Sequence, residues 1–333
     1  MLSVGEKGAY MSVVGQDLTA PEVRRRAAVL GHPVRHSLSP VLHRAAYAQL
    51  GLTGWAYGLQ DVTAAELPAV LEQLDGTWGG LSLTMPLKQS VIPLLDVVDP
   101  LAEVTGAVNT LVVQPGRDGR AGPFVGFNTD VRGIVAALRE VAPQGWQPRR
   151  PVVLGARATA SSALAAFGEL GATSTTLVAR SVAGPGSAAV AAHRMGVATT
   201  HRPWTSAEVA VDALLAADVV VSTVPSGVAD DVAAALAARL DGSEDALAGA
   251  VLLDVVYDPW PTPLARAWRE AGGAIAPGWA MLLHQAEAQV RLFTGRDPDV
   301  AVMRASLLAE LDRRHAGRAV SDSPVVFDLA RRG

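Results

Sequence analysis

Lysine is almost absent from this chain, and Lys88 is the residue whose retention points most directly to chemistry. Of the 28 lysines and arginines in the 333-residue sequence, only Lys7 and Lys88 are lysines. A guanidinium keeps its proton near neutral pH, whereas a partly desolvated ammonium can release one. Lys88 follows a predicted strand that ends at Thr84, and open α/β sheets bind ligands at the carboxyl ends of their strands. We therefore predict proton transfer by Lys88; an ordinary surface lysine is the alternative.

Two asparagines and a carboxylate indicate polar groups that could face the same ligand. Asn109 and Asn128 are the only asparagines, and each stands beside an apolar run and before a threonine. An amide suits a ligand hydroxyl, but it equally suits a turn. Asp130 directly precedes the helical pattern 131–141, so a helix N-cap is one interpretation. A carboxylate beside Lys88 would instead hold the ammonium and orient it as an acid or base.

Composition excludes several classes of protein. The net charge of -4 gives no general attraction to nucleic acid or anionic lipid, and the absence of cysteine excludes disulfides and thiol chemistry. No uncharged apolar run reaches 18 residues, so we expect no membrane span and a cytoplasmic protein. His32, His36 and His43 lack nearby acidic partners, so we predict no metal site. With half of its residues hydrophobic, the chain is long enough for two domains.

The first part of the chain alternates predicted strands and helices, as a mostly parallel sheet would. The expected strands cover residues 27–30, 55–59, 80–84, 110–113 and 124–127, and the expected helices cover residues 41–50, 64–74 and 101–105. Ser37 and Ser39 precede the first helix. Ser39, followed by Pro40, fits an N-cap. Two hydroxyls at an open helix end also suit a ligand carboxylate.

A second α/β unit is predicted after a linker at residues 143–151. Its expected strands cover residues 152–155, 175–178, 219–223 and 251–256, and its expected helices cover residues 159–170, 230–240 and 262–271. Two longer helices should follow, over residues 281–293 and 300–314. Residues 1–23 and 316–333 show no periodicity and are expected to be flexible.

The first strand–turn–helix of this unit is the context of a dinucleotide fingerprint, but the fingerprint is altered. Residues 155–160 read Gly-Ala-Arg-Ala-Thr-Ala, so Arg157 replaces the glycine that lets the backbone approach a pyrophosphate. Arg157 either folds outward and pairs with phosphate or fills the space that phosphate needs. Arg180 follows the second strand, where an arginine suits a 2′-phosphate and favours NADP over NAD.

Together these motifs resemble one family, the shikimate dehydrogenases, over residues 27–310. Ser37 and Ser39 resemble the family's carboxylate-binding serine pair, and Thr84 and Lys88 match its Thr-x-Pro-x-Lys segment. The resemblance implies catalysis by Lys88 and Asp130. It implies substrate contacts from Ser37, Ser39, Thr84, Asn109, Tyr257 and Gln285. It implies a cofactor cleft formed by Gly155, Ala156, Arg157, Ala158, Arg180, Ser181, Thr223, Val255, Gly278 and Met281.

The resemblance also implies a fold and a reaction. The fold would be α/β, with a substrate domain at residues 24–130 and 278–315 and a Rossmann-like NADP-binding domain at residues 131–277; the C-terminal helices would pack back on the first domain. The reaction would be the reversible NADP(H)-dependent reduction of 3-dehydroshikimate to shikimate by a monomer or homodimer that binds no nucleic acid or membrane. The alternatives are a quinate or aminoshikimate dehydrogenase, or a non-catalytic ligand-binding protein that has lost the dinucleotide through Arg157.

Three positions depart from the family's pattern. Ser82 replaces an asparagine in the strand before Lys88, a change expected to be tolerable behind the substrate site. Ala179 and Ser181 replace an asparagine and a threonine on either side of Arg180, which would weaken the NADP preference. Arg157 is the third departure and touches the tightest part of the dinucleotide site.

Overall fold

A computed structural model describes residues 22–321 and folds them around two six-stranded sheets. The first sheet contains β1 (Arg25–Gly31), β2 (Trp55–Asp61), β3 (Trp78–Leu83), β4 (Val97–Val98), β5 (Thr110–Pro115) and β6 (Ala121–Phe127). Its helices are α1 (Ser39–Gln49), α2 (Leu67–Leu71), α3 (Leu87–Ser90) and α4 (Pro100–Thr105), with a short 3-10 helix at Ile92–Leu94.

The first sheet has the strand order β2-β1-β3-β5-β6-β4 and is mostly parallel, as predicted, since among its described strands β5 alone runs opposite to the other five. β1 runs parallel to β2 and β3, whereas β5 runs antiparallel to both β3 and β6. β5 is reversed because only five residues join it to β6, and so short a connection can only join antiparallel strands. β1 and β3 still end side by side, with Leu30 opposite Leu83. This edge therefore carries the segment that leads to Lys88.

The second sheet is parallel throughout. Its strands are β7 (Pro151–Leu154), β8 (Ser174–Ala179), β9 (Ala198–Pro203), β10 (Val219–Ser222), β11 (Val251–Asp254) and β12 (Ala274–Pro277). Its helices are α5 (Asp130–Val141), α6 (Ala158–Glu169), α7 (Ala188–Met195), α8 (Ala207–Leu215), α9 (Asp230–Arg239) and α10 (Pro263–Glu270). The predicted linker joins α5 to β7.

The strand order of the second sheet, β12-β11-β10-β7-β8-β9, is the doubly wound order of dinucleotide-binding folds. The order reverses between β7 and β10, and ligands bind in the crevice at the carboxyl ends of strands at such a switch point. Gly155 follows β7 there with φ +109°, and a Cβ at this position would collide with the hydroxyl of Thr223 after β10. The sequence therefore needs glycine at residue 155 for both conformation and space.

Two C-terminal helices, α11 (Gly278–Thr294) and α12 (Val300–Ser321), return to the first sheet. Leu283, Val290 and Phe293 of α11 share a core with Ala27 and Val29 of β1. The predicted fold class, two α/β units with returning C-terminal helices, is therefore confirmed. α12 continues to Ser321, past the end predicted near residue 314. The rest of the two segments predicted to be flexible lies outside the described residues.

Across residues 22–321, none of the helices combines the length and the apolar composition that crossing a bilayer would require.

The packing of α11 against β3 predicts that Gly80 cannot be enlarged. A Cβ at Gly80 would meet the ring of Phe293 and would lie 2.6 Å from the carbonyl oxygen of Leu111. Because that oxygen belongs to the paired strand β5, Gly80→Ala should lower the free energy of unfolding by about 1–3 kcal/mol, measured by urea denaturation.

Gly168→Ala is the matched control, because no atom of the described residues lies within 4 Å of a Cβ at this helical position. This variant should raise the free energy of unfolding by about 0.5–1 kcal/mol. An unchanged denaturation midpoint for Gly80→Ala would contradict the packing described for α11.

Candidate active site

A cavity of about 250 Å³ opens where the carboxyl edge of the first sheet faces α11. Its lining includes every residue predicted to act in catalysis or to bind substrate: Ser37, Ser39, Thr84, Lys88, Asn109, Asp130, Tyr257 and Gln285. Three residues predicted for the cofactor, Val255, Gly278 and Met281, line the same cavity. The structure therefore gathers side chains from distant parts of the sequence into one polar cleft.

Lys88 and Asp130 form a buried ion pair in this cleft. The Nζ of Lys88 lies 2.6 Å from Oδ2 of Asp130, and the two side chains are only 14% and 5% exposed. The interpretation of Lys88 as a surface lysine is therefore wrong. Asp130 is the first residue of α5 and Thr129 is its N-cap, so the N-cap interpretation of Asp130 is also wrong. The carboxylate is directed to the ammonium instead.

Asn109 holds the second oxygen of the same carboxylate. Its Oδ1 accepts a hydrogen bond of 2.8 Å from the backbone N–H of Thr129, which can only donate. The amide nitrogen must therefore face the other way, where Nδ2 donates to Oδ1 of Asp130 at 2.8 Å. A buried ion pair is tolerated when further hydrogen bonds satisfy its remaining lone pairs. Asn109 supplies that bond, so its side chain belongs to the site rather than to a turn.

Ser37 and Ser39 lie at the N-terminal end of α1. This helix begins at Ser39 itself, after Leu38, so the prediction that Ser39 caps the helix is wrong. The hydroxyl of Ser37 accepts a hydrogen bond of 3.3 Å from the backbone N–H of Ser39, and both residues line the cleft. Tyr257 hydrogen-bonds Ser37, and burial raises the pKa of this phenol, so it stays protonated at neutral pH. Hydroxyls at the N-terminal end of a helix, where the helix dipole is positive, suit a small anion.

Gln285 and Thr84 complete the polar lining. Gln285 lies on α11, where its Nε2 donates to the carbonyl of Leu282 at 2.8 Å and its Oε1 accepts from Asn109 at 3.3 Å. One N–H of this amide is thus left for a ligand. Thr84 follows β3, and its backbone N–H donates to the carbonyl of Leu30 at 2.9 Å. The strand edge therefore holds Thr84 in place beside the cleft.

A second, larger cavity of about 820 Å³ lies at the switch point of the second sheet. Six residues predicted for the cofactor line it: Gly155, Ala156, Arg157, Arg180, Ser181 and Thr223. Ala158, also predicted to contact the cofactor, is the first residue of α6, and among the residues that the structure describes it does not line this cavity. Arg180 is exposed directly after β8, where doubly wound folds bind the ribose end of a dinucleotide. This cavity has the position, shape and positive charge for such a ligand.

Arg157 leaves this cavity open. Its backbone is extended, with φ -113° and ψ -162°, so the position does not require a glycine conformation. Its exposed side chain places Nη1 3.8 Å from where a Cβ of Gly184 would be. The guanidinium is thus directed toward the loop that follows Arg180. Of the two interpretations, the outward one agrees with the structure.

The histidines considered for a metal site lie apart in the structure. His32 pairs with Asp61 of β2, and His36 lines the first cavity. His43 is buried in α1, where burial lowers its pKa to about 3. Among residues 22–321, no three side chains of the types that bind metals come together.

Sequence reasoning missed three residues that support the cleft. Thr129 fixes the amide of Asn109, and the repeated Asn-Thr pairs were a signal for it. Gln289 lines the cleft one helical turn after Gln285, and this spacing placed both amides on one face of α11. Tyr57 lies beneath the cleft in an apolar strand, where a tyrosine is indistinguishable from an ordinary core residue.

Two family models match this chain. The model described as the shikimate dehydrogenase substrate binding domain matches residues 29–111. The model described as the shikimate 5′-dehydrogenase C-terminal domain matches residues 278–308. The matched segments together carry Ser37, Ser39, Lys88, Asn109 and Gln285.

Known proteins resemble the chain over most of its length. A shikimate dehydrogenase (NADP(+)) of Geobacter sp. (strain M21) is 37% identical over 86% of this chain and 96% of that protein. The crystal structure of Mycobacterium tuberculosis shikimate dehydrogenase is 40% identical, with a TM-score of 0.71 over 86% of this chain and 99% of that one. The structure of the Thermus thermophilus enzyme in complex with NADP(H) and shikimate is 29% identical, with a TM-score of 0.68 over 86% of this chain and 99% of that one.

Proposed function

Because the chain belongs to the shikimate dehydrogenase family, we propose that its cleft catalyses the reversible NADP-dependent reduction of 3-dehydroshikimate to shikimate. The observation that carries this proposal is the buried contact between Lys88 and Asp130 in a cleft lined by hydroxyls and amides. A cyclic polyol with one carboxylate requires these groups: an anion site at one end, and donors and acceptors around the ring.

The anion site at the start of α1 receives the substrate carboxylate. Ser37 and Ser39 present two hydroxyls at the N-terminal end of this helix. Charge-assisted hydrogen bonds of this kind are stronger than neutral ones. This end of the substrate does not react, so these contacts set affinity and orientation.

The ring hydroxyls are held at the opposite side of the cleft. Asp130 accepts hydrogen bonds there, and Gln285 has one N–H to donate. Asn109 fixes the carboxylate of Asp130, so the acceptor is already in position before the substrate arrives. Such preorganisation lowers the cost of orienting the reacting carbon.

Lys88 supplies the proton. One N–H of its ammonium is held by Asp130, and two others remain for the substrate oxygen. NADPH, when bound, supplies the hydride that reduces the ketone carbon. Lys88 then gives one proton to the oxygen on which negative charge develops, and in the reverse direction it takes that proton from the hydroxyl. Asp130 keeps the amine directed at the reacting oxygen.

The second cavity fits the cofactor. Gly155 makes the tight turn at the switch point, where any Cβ would collide with the hydroxyl of Thr223. Arg180 stands where an acidic residue would bind the 2′-hydroxyl of NAD, so its charge favours the 2′-phosphate of NADP. Arg157, directed toward the loop after Arg180, adds a second positive charge near the same phosphate.

The cytoplasmic location and the choice between monomer and homodimer stay predictions.

Initial rates with shikimate plus NADP, compared with shikimate plus NAD, test the function. We expect turnover of shikimate and a lower KM for NADP than for NAD, because Arg180 can pair with the extra phosphate. Rates with quinate in place of shikimate test the alternative that quinate is the preferred substrate. A higher kcat/KM for quinate would contradict the proposed reaction, and no binding of NADPH in a fluorescence titration would leave only a ligand-binding protein.

Lys88→Ala should reduce kcat by about 10²- to 10⁴-fold, the usual contribution of general acid–base catalysis, with a much smaller effect on the KM for shikimate. Lys88→Arg is the matched variant: it keeps the positive charge beside Asp130 but cannot release a proton near neutral pH, so it should be similarly slow. If Lys88→Arg retained full turnover, the lysine would contribute charge only and another group would transfer the proton.

Arg157→Ala should weaken NADPH binding about three- to tenfold, because the variant loses a charge-assisted contact with the 2′-phosphate. NADH lacks this phosphate, so its binding should be almost unchanged. Fluorescence titration of both cofactors measures the two effects. Arg313→Ala, which removes an exposed arginine on α12, controls for the change in net charge. Tighter NADPH binding by Arg157→Ala would show that Arg157 obstructs the site instead.

A further inference from the structure

A buried chain of hydrogen bonds runs beneath the cleft and ends at Ser39. It connects Gln289 of α11, Ser82 of β3, Tyr57 of β2 and Ser39 at the start of α1. All four residues are at most 4% exposed. The proposed function gives a direct role only to Ser39, so the other three residues require a separate explanation.

The amide of Gln289 has a fixed orientation. Its Nε2 lies 3.1 Å from the backbone carbonyl of Asn109, which can only accept, and 3.0 Å from the hydroxyl of Thr110. Its Oε1 must therefore face the other way, where it accepts from the hydroxyl of Ser82 at 2.7 Å and from the ring of His43 at 3.2 Å. Every donor and acceptor of this amide is used, so the amide is not free to flip.

This orientation determines the direction of the remaining hydrogen bonds. Ser82 must donate to Gln289, because an amide oxygen has no proton to give. Tyr57 therefore donates its O–H to Ser82, at 2.6 Å. The phenol oxygen is left as an acceptor for the hydroxyl of Ser39. Burial raises the pKa of Tyr57, so the phenol keeps its proton throughout the neutral range.

In this state the hydroxyl proton of Ser39 is directed into the protein, away from the cleft. A carboxylate has no proton and can only accept, so Ser39 must turn its own proton outward to bind one. Tyr57 can accommodate this change by rotating its O–H from Ser82 to Ser39. Ser39 would then accept from Tyr57 and donate to the carboxylate, which strengthens its donor by hydrogen-bond cooperativity.

We propose that Tyr57 is a positioning residue for substrate binding, whose hydroxyl turns from Ser82 to Ser39 when a carboxylate enters the cleft. This inference rests on the proposed function, since it concerns the carboxylate end of the same substrate. When the cleft is empty, Ser82 accepts the hydrogen bond of Tyr57, and Gln289 accepts that of Ser82 and so holds Ser82 in place. Tyr57 touches neither the reacting carbon nor the cofactor, so its effect should be on affinity rather than on the chemical step.

Tyr47 provides a matched control. It belongs to the same core cluster, and its ring centroid lies 6.4 Å from that of Tyr57. It is 3% exposed, and among the described residues its hydroxyl has no hydrogen-bond partner. Tyr47→Phe and Tyr57→Phe thus remove the same atom from the same core, but only the second removes hydrogen bonds that lead to Ser39.

Tyr57→Phe should raise the KM for shikimate about three- to tenfold, the range for one lost hydrogen bond, with kcat and the KM for NADP within about twofold of the parent. Tyr47→Phe should leave all three unchanged. Titration calorimetry with shikimate measures the same affinity without turnover. An inactive parent enzyme would contradict the proposed function, whereas an unchanged affinity in Tyr57→Phe would contradict the role of Tyr57.

Combining Tyr57→Phe with Ser39→Ala separates positioning from a general effect on the core. If Tyr57 acts through Ser39, the double variant should bind shikimate as weakly as Ser39→Ala alone, because the partner that Tyr57 positions is already gone. If the decreases in shikimate affinity caused by the two substitutions instead multiply, Tyr57 acts through another route and the proposal is wrong.

Discussion

The carboxylate of Asp130 is buried with both oxygens engaged, one by the ammonium of Lys88 and the other by the amide of Asn109. A buried carboxylate is stable only where such partners replace the water that it has lost. These three residues come from α3, from the segment before β5 and from the first turn of α5, so those elements must meet at one point. The rest of α5 packs in the core of the second sheet through Ile134 and Leu138. The same ion pair therefore links Lys88, which follows the first sheet, to the helix that packs on the second sheet.

The helix α11 makes the second connection between the two sheets. Its first turn packs in the core of the second sheet through Met281, and its later turns pack against the first sheet through Leu283 and Val290. It crosses α5 so closely that a Cβ at Gly133 would lie 2.7 Å from the carbonyl oxygen of Met281. This contact sets the face of α11 that lines the cleft, and Gln285 follows on that face. The first cavity is thus positioned by one pair of helices that packs against both sheets.

The predictable part of this protein is the part in which local sequence and tertiary structure agree. Apolar runs predicted nine of the twelve described strands but missed β4, β9 and β12, and the scarcity of lysine pointed to Lys88. Capping at Ser39 and Asp130 was predicted wrongly, because a serine or aspartate before a helix has the same local preference whether it caps the helix or faces a cleft. Tyr57 could not be found, because its hydrogen bonds join strands and helices that are distant in sequence. Pairing partners of that kind are set by topology, which local patterns do not encode.

The altered fingerprint shows how two distant positions can compensate for each other. The glycine expected at position 157 is required for space rather than for conformation, because Arg157 has an extended backbone that any residue can adopt. Space is found at the wall of the cavity, where the exposed side chain of Arg157 approaches Gly184 in the loop after β8. A larger residue at 184 would meet this side chain, and φ +99° already disfavours one there. A positive charge can thus occupy a position that the fingerprint reserves for glycine while the cavity beside it stays open for a dinucleotide.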